Sequence, residues 1–344
     1  MEILPPYYNQ GAREYFDKAR ALAQKSISED TLPIYHSGCR KFREFCVELC
    51  PDLEFPLSDL DYSLFYTWLV ERISADSAAN YLNHVSFLGQ IMFRIPAPIW
   101  RNMPLTHRCK KSKKAFSVTK RNRKLPITFT LATKIGDAYP NHHPDHIVTM
   151  DAVSLFLCIL YLGICGLFRC GELIPKNPKK THPEKLIRRG QIDFFDPPDG
   201  GPRFARVWLY RSKGDKFHEG VPVLIPGYTN RKHCPIAWLE CLMRLSPKDR
   251  AHPIFTFPDH KLVTKRVFIQ WVRGRLMSLG FNPSDYAGHS MRAGGAVSAS
   301  RRGVPDHIIK ILGRWKSDSY LLYIKYMEPH LAELREHLRR LSQD

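Results

Sequence analysis

Apolar residues recur at helical spacing through the first third of the chain. Three separate runs show this spacing, and the first begins with Ser28-Glu29-Asp30, a typical helix start. The runs cover residues 28–46, 60–73 and 77–92. The pattern predicts a small bundle of helices in residues 26–109, preceded by an N-terminal extension of residues 1–25.

The hydrophobic pattern changes in the second part of the chain. Val153–Leu162 is a continuous apolar run that predicts a buried helix, and Pro305 and Gly313 are placed to begin and end a short one. Three further runs are typical of strands and cover Gln191–Phe195, Phe204–Tyr210 and Val221–Ile225. We therefore expect residues 125–344 to form a second domain, so that the chain is mainly α with a small antiparallel β-sheet.

Residues 110–124 join the two predicted domains and carry eight basic side chains but no acidic one. The eight are Lys110, Lys111, Lys113, Lys114, Lys120, Arg121, Arg123 and Lys124. The segment is either a solvated linker or a stretch that contacts duplex phosphates, and it also fits a nuclear import signal. We favour the phosphate contact, and we expect a nuclear protein if the host is eukaryotic.

The net charge of the chain favours a polyanionic partner. The 344 residues carry a formal charge of +19, with an ordinary hydrophobic content of 44%. This charge alone does not separate DNA from RNA or from an acidic membrane. No apolar run is long enough to span a bilayer, since Val153–Cys165 falls short, and the polar start Met1–Gln10 argues against a secretory signal. Nine cysteines without a Cys-x-x-Cys pair fit a reducing compartment.

Two pairs of charged residues are spaced to share a helix face. His289 and Arg292 stand at i and i+3, and so do Arg169 and Glu172, which follow the buried apolar run. The first pair is able to bind one anionic group, and Glu172 is able to hold the guanidinium of Arg169. Each pair also fits an ordinary local ion pair or cap. Lys213, in a Gly/Asp turn between two predicted strands, is either solvated or the tip of a hairpin that reaches a substrate.

A tryptophan and three tyrosines follow these charged pairs. Trp315 is a large apolar group with one donor, which suits either the core or an active-site pocket. Tyr320, Tyr323 and Tyr326 recur every three residues, so they either form an aromatic packing stripe or include a nucleophile for a phosphodiester. No metal-ligand set accompanies them, and the histidines of residues 142–146 are more typical of a solvated loop than of a metal site.

These residues resemble the active-site series of the tyrosine recombinase (phage integrase) family. In chain order the series is Arg169, Lys213, His289, Arg292, Trp315 and Tyr323. The motifs that carry it read Gly-Leu-Phe-Arg-Cys-Gly-Glu-Leu, Ser-Lys-Gly-Asp-Lys, Gly-His-Ser-Met-Arg and Leu-Gly-Arg-Trp. The stretch Gly-Arg-Trp-Lys-Ser-Asp-Ser-Tyr-Leu-Leu-Tyr-Ile is most similar to recombinases of eukaryotic mobile elements of the DIRS and crypton types. Family members place the nucleophile about eight or nine residues after the His or Trp position, which selects Tyr323 (323 − 315 = 8), with Tyr326 second.

The resemblance implies a strand-exchange reaction on duplex DNA that needs no metal, cofactor or ATP. Tyr323 would attack a backbone phosphorus and expel a 5′-hydroxyl, leaving a 3′-phosphotyrosyl bond. Arg169 and Arg292 would bind the non-bridging oxygens. His289 would donate to the same phosphate or accept the proton of Tyr323, and Lys213 would protonate the leaving oxygen.

The resemblance also implies how the domains are used. Residues 26–109 would be a core-binding domain that forms one arm of a clamp around the duplex, and residues 125–344 the catalytic domain. After Pro329, leucines at helical spacing predict an amphipathic helix. They are Leu331, Leu334, Leu338 and Leu341. This helix either packs on its own domain or, as in the family, docks on a neighbouring protomer to build a homotetramer on two DNA sites.

Three functions fit the sequence. The first is an active site-specific recombinase or integrase of a mobile element. The second is a type IB topoisomerase-like enzyme, which shares the chemistry but acts without a specific site. The third is a domesticated DNA-binding protein that keeps the fold and has lost the reaction.

Overall fold

The computed structural model describes Lys18, residues 31–92, 100–116 and 124–210, Asp215 and residues 219–324. Within these ranges, only the backbone is described for residues 88–92, 101 and 113–116. The chain divides into two compact units, residues 1–121 and 122–344.

The N-terminal unit is a bundle of helices, and it confirms the three helical runs of the sequence. Its helices are α1 (Leu32–Leu49), α2 (Asp59–Val70), α3 (Ala75–Met92) and α4 (Pro104–Phe116), with a 3-10 turn at Trp100–Asn102. Phe45, Phe65 and Leu82 are fully buried, one from each of the first three helices. Ser58 and Asp61 form a capping box that fixes the start of α2.

Helix α4 contains part of the segment expected to be a linker. Residues 110–116 continue this helix, because lysine and alanine are good helix formers and neither glycine nor proline interrupts the run. The carboxylate of Asp59 accepts the backbone N–H groups of Leu105 at 2.8 Å and Thr106 at 2.9 Å, which joins the start of α4 to α2. The first basic residues of the segment therefore belong to a helix and not to an extended linker.

The second unit is mainly helical with one small sheet, so the predicted fold class is confirmed. Its helices are α5 (Phe129–Asp137), α6 (Ala152–Cys165), α7 (Cys170–Leu173), α8 (Pro235–Leu245), α9 (Lys265–Ser278), α10 (Ser290–Arg301), α11 (Asp306–Leu312) and α12 (Leu321–Ile324). Every residue of α6 from Ser154 to Ile164 is buried. This helix is therefore packed on all sides, as its continuous apolar pattern predicted.

The sheet is antiparallel, with β1 (Ile192–Phe195), β2 (Phe204–Leu209) and β3 (Val221–Ile225) in that order. Val207 of the central strand pairs with Ile192 on one side and Val223 on the other. Every second residue of β2 is buried, so one face of the strand covers the core. Lys213, expected at the tip of the hairpin that joins β2 to β3, lies outside the described residues.

Two glycines allow α10 to approach neighbouring backbone closely. A Cβ on Gly294 would lie 1.7 Å from the carbonyl oxygen of Ile127, and one on Gly295 would lie 2.2 Å from that of Ile164. Both distances are far below van der Waals contact, so only glycine fits at these positions. This backbone-to-backbone packing fixes the helix that carries Arg292.

The cysteines, the apolar helices and the C-terminal leucines were the other subjects of the sequence predictions. All nine cysteines are free thiols. Among the helices described here, none combines the length and the apolar character needed to cross a membrane. The leucines expected in a C-terminal helix follow Ile324 and lie outside the described residues, as does Tyr326.

Candidate active site

Arg169 and Glu172 are joined at the start of α7. Arg169 is the N-cap residue of this short helix, and Glu172 occupies its third position. Oε2 of Glu172 accepts the backbone N–H of Arg169 at 2.8 Å, and Oε1 accepts Nη1 of its side chain at 2.6 Å. The carboxylate therefore holds both the backbone and the guanidinium of Arg169. The predicted pairing is confirmed, but it spans a helix start and not a helix face.

Glu172 is buried among three guanidinium groups. The residue is 8% exposed, and its Oε2 also accepts Nη2 of Arg314 at 3.0 Å. Nη1 of Arg292 lies 4.0 Å from the same oxygen, beyond hydrogen-bond distance. Burial alone would raise the pKa of Glu172, but the charges of Arg314 and Arg169 outweigh it and hold the pKa below its usual value. Glu172 is therefore an ionised carboxylate at neutral pH.

Arg292 is buried at the first turn of α10 and is 2% exposed. Its Nη1 donates to the carbonyl oxygen of Leu167 at 2.8 Å, and its Nη2 donates to that of Gly313. Its guanidinium carbon lies 4.1 Å from the centre of the Trp315 ring, which is cation–π distance. Burial and the neighbouring charge of Arg169 lower the pKa of Arg292 to about 9, so the group is still a cation at neutral pH.

His289 is the N-cap residue of α10 and is exposed. The sequence predicted that His289 and Arg292 share one helix face, but the helix begins at Ser290, so His289 stands just before it. Its carbonyl oxygen still accepts the N–H of Ala293 at 3.0 Å, which ties it to the first turn. The two side chains differ in burial, since Arg292 lies inside the unit and His289 at its surface.

Trp315 connects Arg292 to the two described tyrosines. Its ring centre lies 6.0 Å from that of Tyr320 and 6.2 Å from that of Tyr323. Tyr320 is 6% exposed and belongs to a small apolar cluster with Leu167, whereas Tyr323 is half-buried at the edge of that cluster. Tyr320 therefore packs in the interior, and Tyr323 keeps part of its surface accessible.

Three solved structures resemble this chain over most of its length. A lambda integrase tetramer bound to a Holliday junction is 12% identical with a TM-score of 0.51, and the match covers 92% of this chain and 84% of that one. XerH site-specific recombinase in a post-cleavage complex with palindromic difH substrate is 13% identical with a TM-score of 0.57, covering 88% and 78%. Tn1549 transposon integrase in complex with transposon right end DNA is 12% identical with a TM-score of 0.51, covering 94% and 99%. No family model and no curated protein matches the sequence.

The chain has the tyrosine recombinase fold. At identities of 12–13% the likeness concerns the fold alone. The side chains of the site are those of this chain. The contacts of the site connect Arg169, Glu172, Arg292, Trp315 and Tyr323. His289 adjoins them through α10, and Lys213 is outside the described residues.

Two cations that the sequence did not single out also lie at the site of this tyrosine recombinase fold. Arg314 bonds to Glu172, and its only signal in the sequence was its place before Trp315 in the motif. Lys265 begins α9, and its Nζ lies 2.8 Å from where a Cβ on Gly288 would be. Lys265 comes from a helix whose sequence pattern carries no site motif, so only the fold places it beside the residue that precedes His289.

The expected DNA-contacting segment is described in part. Lys110 and Lys111 lie in α4, and Nζ of Lys110 is 4.8 Å from the ring centre of Trp100 in the same unit. Lys124, in the second unit, donates to the carbonyl oxygen of Ser284 at 2.7 Å. The side chains of Lys113 and Lys114 and all of Lys120, Arg121 and Arg123 lie outside the described residues.

Two of the three histidines in residues 142–146 have a carboxylate partner nearby. His142 Nε2 lies 2.9 Å from Oδ2 of Asp151, the N-cap residue of α6, and His143 Nδ1 lies 3.7 Å from Oδ2 of Asp145. In the part of the chain that the structure describes, no group of three or more His, Cys, Asp or Glu side chains is arranged to hold a metal ion.

Proposed function

We propose that this chain is a tyrosine recombinase of a mobile element, which cuts and rejoins duplex DNA through a 3′-phosphotyrosyl intermediate. The observation that carries the proposal is the burial of Arg292 in contact with Trp315, within the same cluster as Arg169 and Tyr323. Taking a guanidinium out of water costs free energy. A phosphate bound between Arg292 and Arg169 would offset that cost, which explains why a protein keeps such a group.

In the proposed reaction, the phenolic oxygen of Tyr323 forms a bond to a backbone phosphorus, while the bond from that phosphorus to the 5′-oxygen breaks. His289 accepts the phenolic proton, and Lys213 gives a proton to the departing 5′-oxygen. The phosphate stays esterified throughout, so the free 5′-hydroxyl of another strand reverses the step and joins the strands. The reaction therefore needs no ATP or other energy source.

The charges around Glu172 suit the transition state of that step. The three guanidinium groups of Arg169, Arg292 and Arg314 and the one carboxylate give a sum of +2 (3 − 1). A phosphodiester carries one negative charge, and its pentacoordinate transition state carries two. An excess of two positive charges therefore stabilises the transition state more than the bound substrate, as catalysis requires.

We further propose duplex DNA as the partner, and assembly as a homotetramer on two DNA sites through the helix expected after Pro329. The lambda integrase structure, a tetramer on a Holliday junction, supports this assembly by likeness of fold. If the host is eukaryotic, the protein would act in the nucleus, with the basic residues of the segment 110–124 as the import signal or phosphate contacts.

Covalent trapping tests the proposed chemistry. The full chain is incubated in EDTA with a labelled pool of nicked duplexes that contain a random central sequence, and the products are separated on a denaturing gel. We expect a labelled protein–DNA adduct with the wild type, with Tyr320→Phe and with Tyr326→Phe. The adduct is absent in Tyr323→Phe, which keeps the ring that packs on Trp315.

The other outcomes point to other functions. Salt-sensitive DNA binding without an adduct would favour a non-catalytic DNA-binding protein. An adduct together with relaxation of a supercoiled plasmid, without sequence enrichment in the trapped pool, would favour a topoisomerase-like enzyme. An adduct that persists in Tyr323→Phe and is absent in Tyr326→Phe would reassign the nucleophile.

A further inference from the structure

Arg314 has an unusual backbone conformation for a residue that is not glycine. Its φ is +57°, in the left-handed region that favours glycine. Leu167, at the other side of the same site, also has a positive φ, of +47°. Nη2 of Arg314 donates to the carbonyl oxygen of Leu167 at 3.2 Å. Two strained residues are thus bonded to each other, and such strain persists only where the surrounding contacts hold it in place.

The side chain of Arg314 supplies those contacts. It is 12% exposed and reaches the segment that carries Arg169. Nη1 donates to the carbonyl oxygen of Gly166 at 3.1 Å, and Nη2 donates to Glu172 Oε2 at 3.0 Å as well as to Leu167. The guanidinium carbon lies 5.3 Å from the ring centre of Phe168. One guanidinium therefore bonds the residue before Trp315 to residues on both sides of Arg169.

We propose that Arg314 is a positioning residue, which locks the segment of Trp315 and Tyr323 onto the segment of Arg169 and keeps Glu172 away from Arg292. The proposal rests on the proposed function, because its purpose is to place the nucleophile against the phosphate-binding arginines. Only a planar fork with several donors makes these bonds at once, so a lysine keeps the charge and replaces Arg314 only in part.

Arg314 keeps Glu172 from bonding to Arg292 because the two arginines compete for the same oxygen, Oε2 of Glu172. Glu172 Oε2 already accepts Arg314 at 3.0 Å and the backbone N–H of Arg169 at 2.8 Å, and Arg292 Nη1 stays 4.0 Å away. An Arg292 hydrogen-bonded to this carboxylate would have one more of its N–H groups occupied before DNA arrives. Arg314 takes that place on Oε2, so Arg292 keeps an N–H group for the phosphate.

Hydrogen exchange of the full-length protein without DNA tests the lock directly. The variants are Arg314→Met, which keeps a stem of similar length but lacks the guanidinium, and Arg314→Gly, which also relieves the left-handed φ. Lys316→Met is the matched control, since it removes one exposed positive charge from the same loop. We expect amides of residues 166–174 to exchange at least about 10-fold faster in both Arg314 variants and at the wild-type rate in Lys316→Met. Wild-type exchange in both Arg314 variants would overturn the proposal, whatever the activity of the protein.

Adduct formation on the nicked duplex pool tests its consequence for the reaction. We expect the rate to fall about 100-fold in Arg314→Met, the loss typical of a misplaced reacting group, and less in Arg314→Lys. Because the charge of Arg314 helps to hold down the pKa of Glu172, which holds Arg169, its removal moves to higher pH the part of the acid limb of the pH–rate profile that comes from protonation of Glu172. A merely structural role would lower the amount of folded protein without moving this limb.

The two levels of failure are distinguishable. If the wild type forms no adduct, the proposed function fails. The hydrogen-exchange experiment alone then tests whether Arg314 holds residues 166–174 in place. If the wild type forms the adduct and Arg314→Met shows the same rate and pH profile, the proposed function stands and the positioning role of Arg314 is refuted.

Discussion

The guanidinium carbon of Arg292 lies 4.1 Å from the centre of the Trp315 ring, so a buried charge rests on an aromatic face. A desolvated contact of this kind is worth about 2 kcal/mol, which corresponds to roughly a 30-fold change in an equilibrium or rate. The indole therefore supports the charge of Arg292 as well as filling the pocket next to Tyr323.

Replacing Trp315 should weaken the reaction according to the size of the aromatic face that is left. We expect adduct formation to fall by roughly 30-fold in Trp315→Ala and by less in Trp315→Phe, which keeps a ring for Arg292. Rates on the nicked duplex pool measure this order. Equal rates for the two variants would mean that the aromatic face does not stabilise the charge of Arg292.

Replacing Glu172 by glutamine should destabilise the second unit in a pH-dependent way. Removing one partner of a buried ion pair costs about 3–5 kcal/mol, and Glu172 faces Arg169 and Arg314. The folded-state pKa of Glu172 lies below its ordinary value of 4.5. The carboxylate therefore stabilises the fold above pH 4.5, and this contribution is lost as the pH falls through the folded-state pKa.

Thermal denaturation of the wild type and Glu172→Gln between pH 7 and pH 3.5 measures this effect. We expect a clear difference in Tm at pH 7 that shrinks as the pH falls below 4.5. Glu219→Gln removes an exposed carboxylate of the same unit and serves as the control. A Tm difference that stays constant over this pH range would show that the charge of Glu172 is not what stabilises the site.

Adding a methyl group to Gly294 should disturb the packing of α10. The new Cβ would lie 1.7 Å from the carbonyl oxygen of Ile127, so the helix must move. Overpacking typically costs about 1–3 kcal/mol, and we expect Gly294→Ala to lower the Tm of the full chain accordingly. Gly274→Ala in α9 meets no heavy atom within 4 Å and should be neutral or slightly stabilising. A neutral Gly294→Ala would contradict the close approach of the two backbones.

Neutralising the basic segment should reduce the salt dependence of DNA binding. We expect replacement of four lysines by glutamine to lower the slope of log affinity against log salt by about 0.9 for each phosphate that these lysines neutralise. The four are Lys110, Lys111, Lys113 and Lys114. Glutamine keeps the helix propensity of α4. A slope identical to that of the wild type would rule out phosphate binding by these side chains.

Much of the fold could be predicted because its signals are local. The continuous apolar run predicted α6, the strand-like run in residues 204–210 predicted β2, and Gly313 marked the end of α11, where the structure has it as the C-cap residue. Each of these rests on residues that are neighbours in sequence. The i, i+3 spacing of Arg169 and Glu172 is equally local, and it predicted their contact.

The remaining features depend on contacts between distant parts of the chain. Arg314 meets Glu172 across 142 residues, and its left-handed φ has no signature in its residue type. Lys265 reaches the site only because α9 packs beside Gly288. The placement of His289 before α10, rather than inside it, depends on where the helix begins, and helix boundaries are the least certain part of a sequence pattern.

The small apolar cluster that holds Tyr323 is separate from the main core of the second unit. Its buried members are Leu167, Ala296, Ile309, Tyr320 and Ile324. Because the free energy of local opening grows with the apolar surface exposed, we expect this smaller cluster to open at lower cost than the main core around α6. Opening it would release the phenol of Tyr323 while the main core stays packed. We therefore expect gentle heating or dilute urea to abolish the proposed reaction before the chain loses its overall architecture.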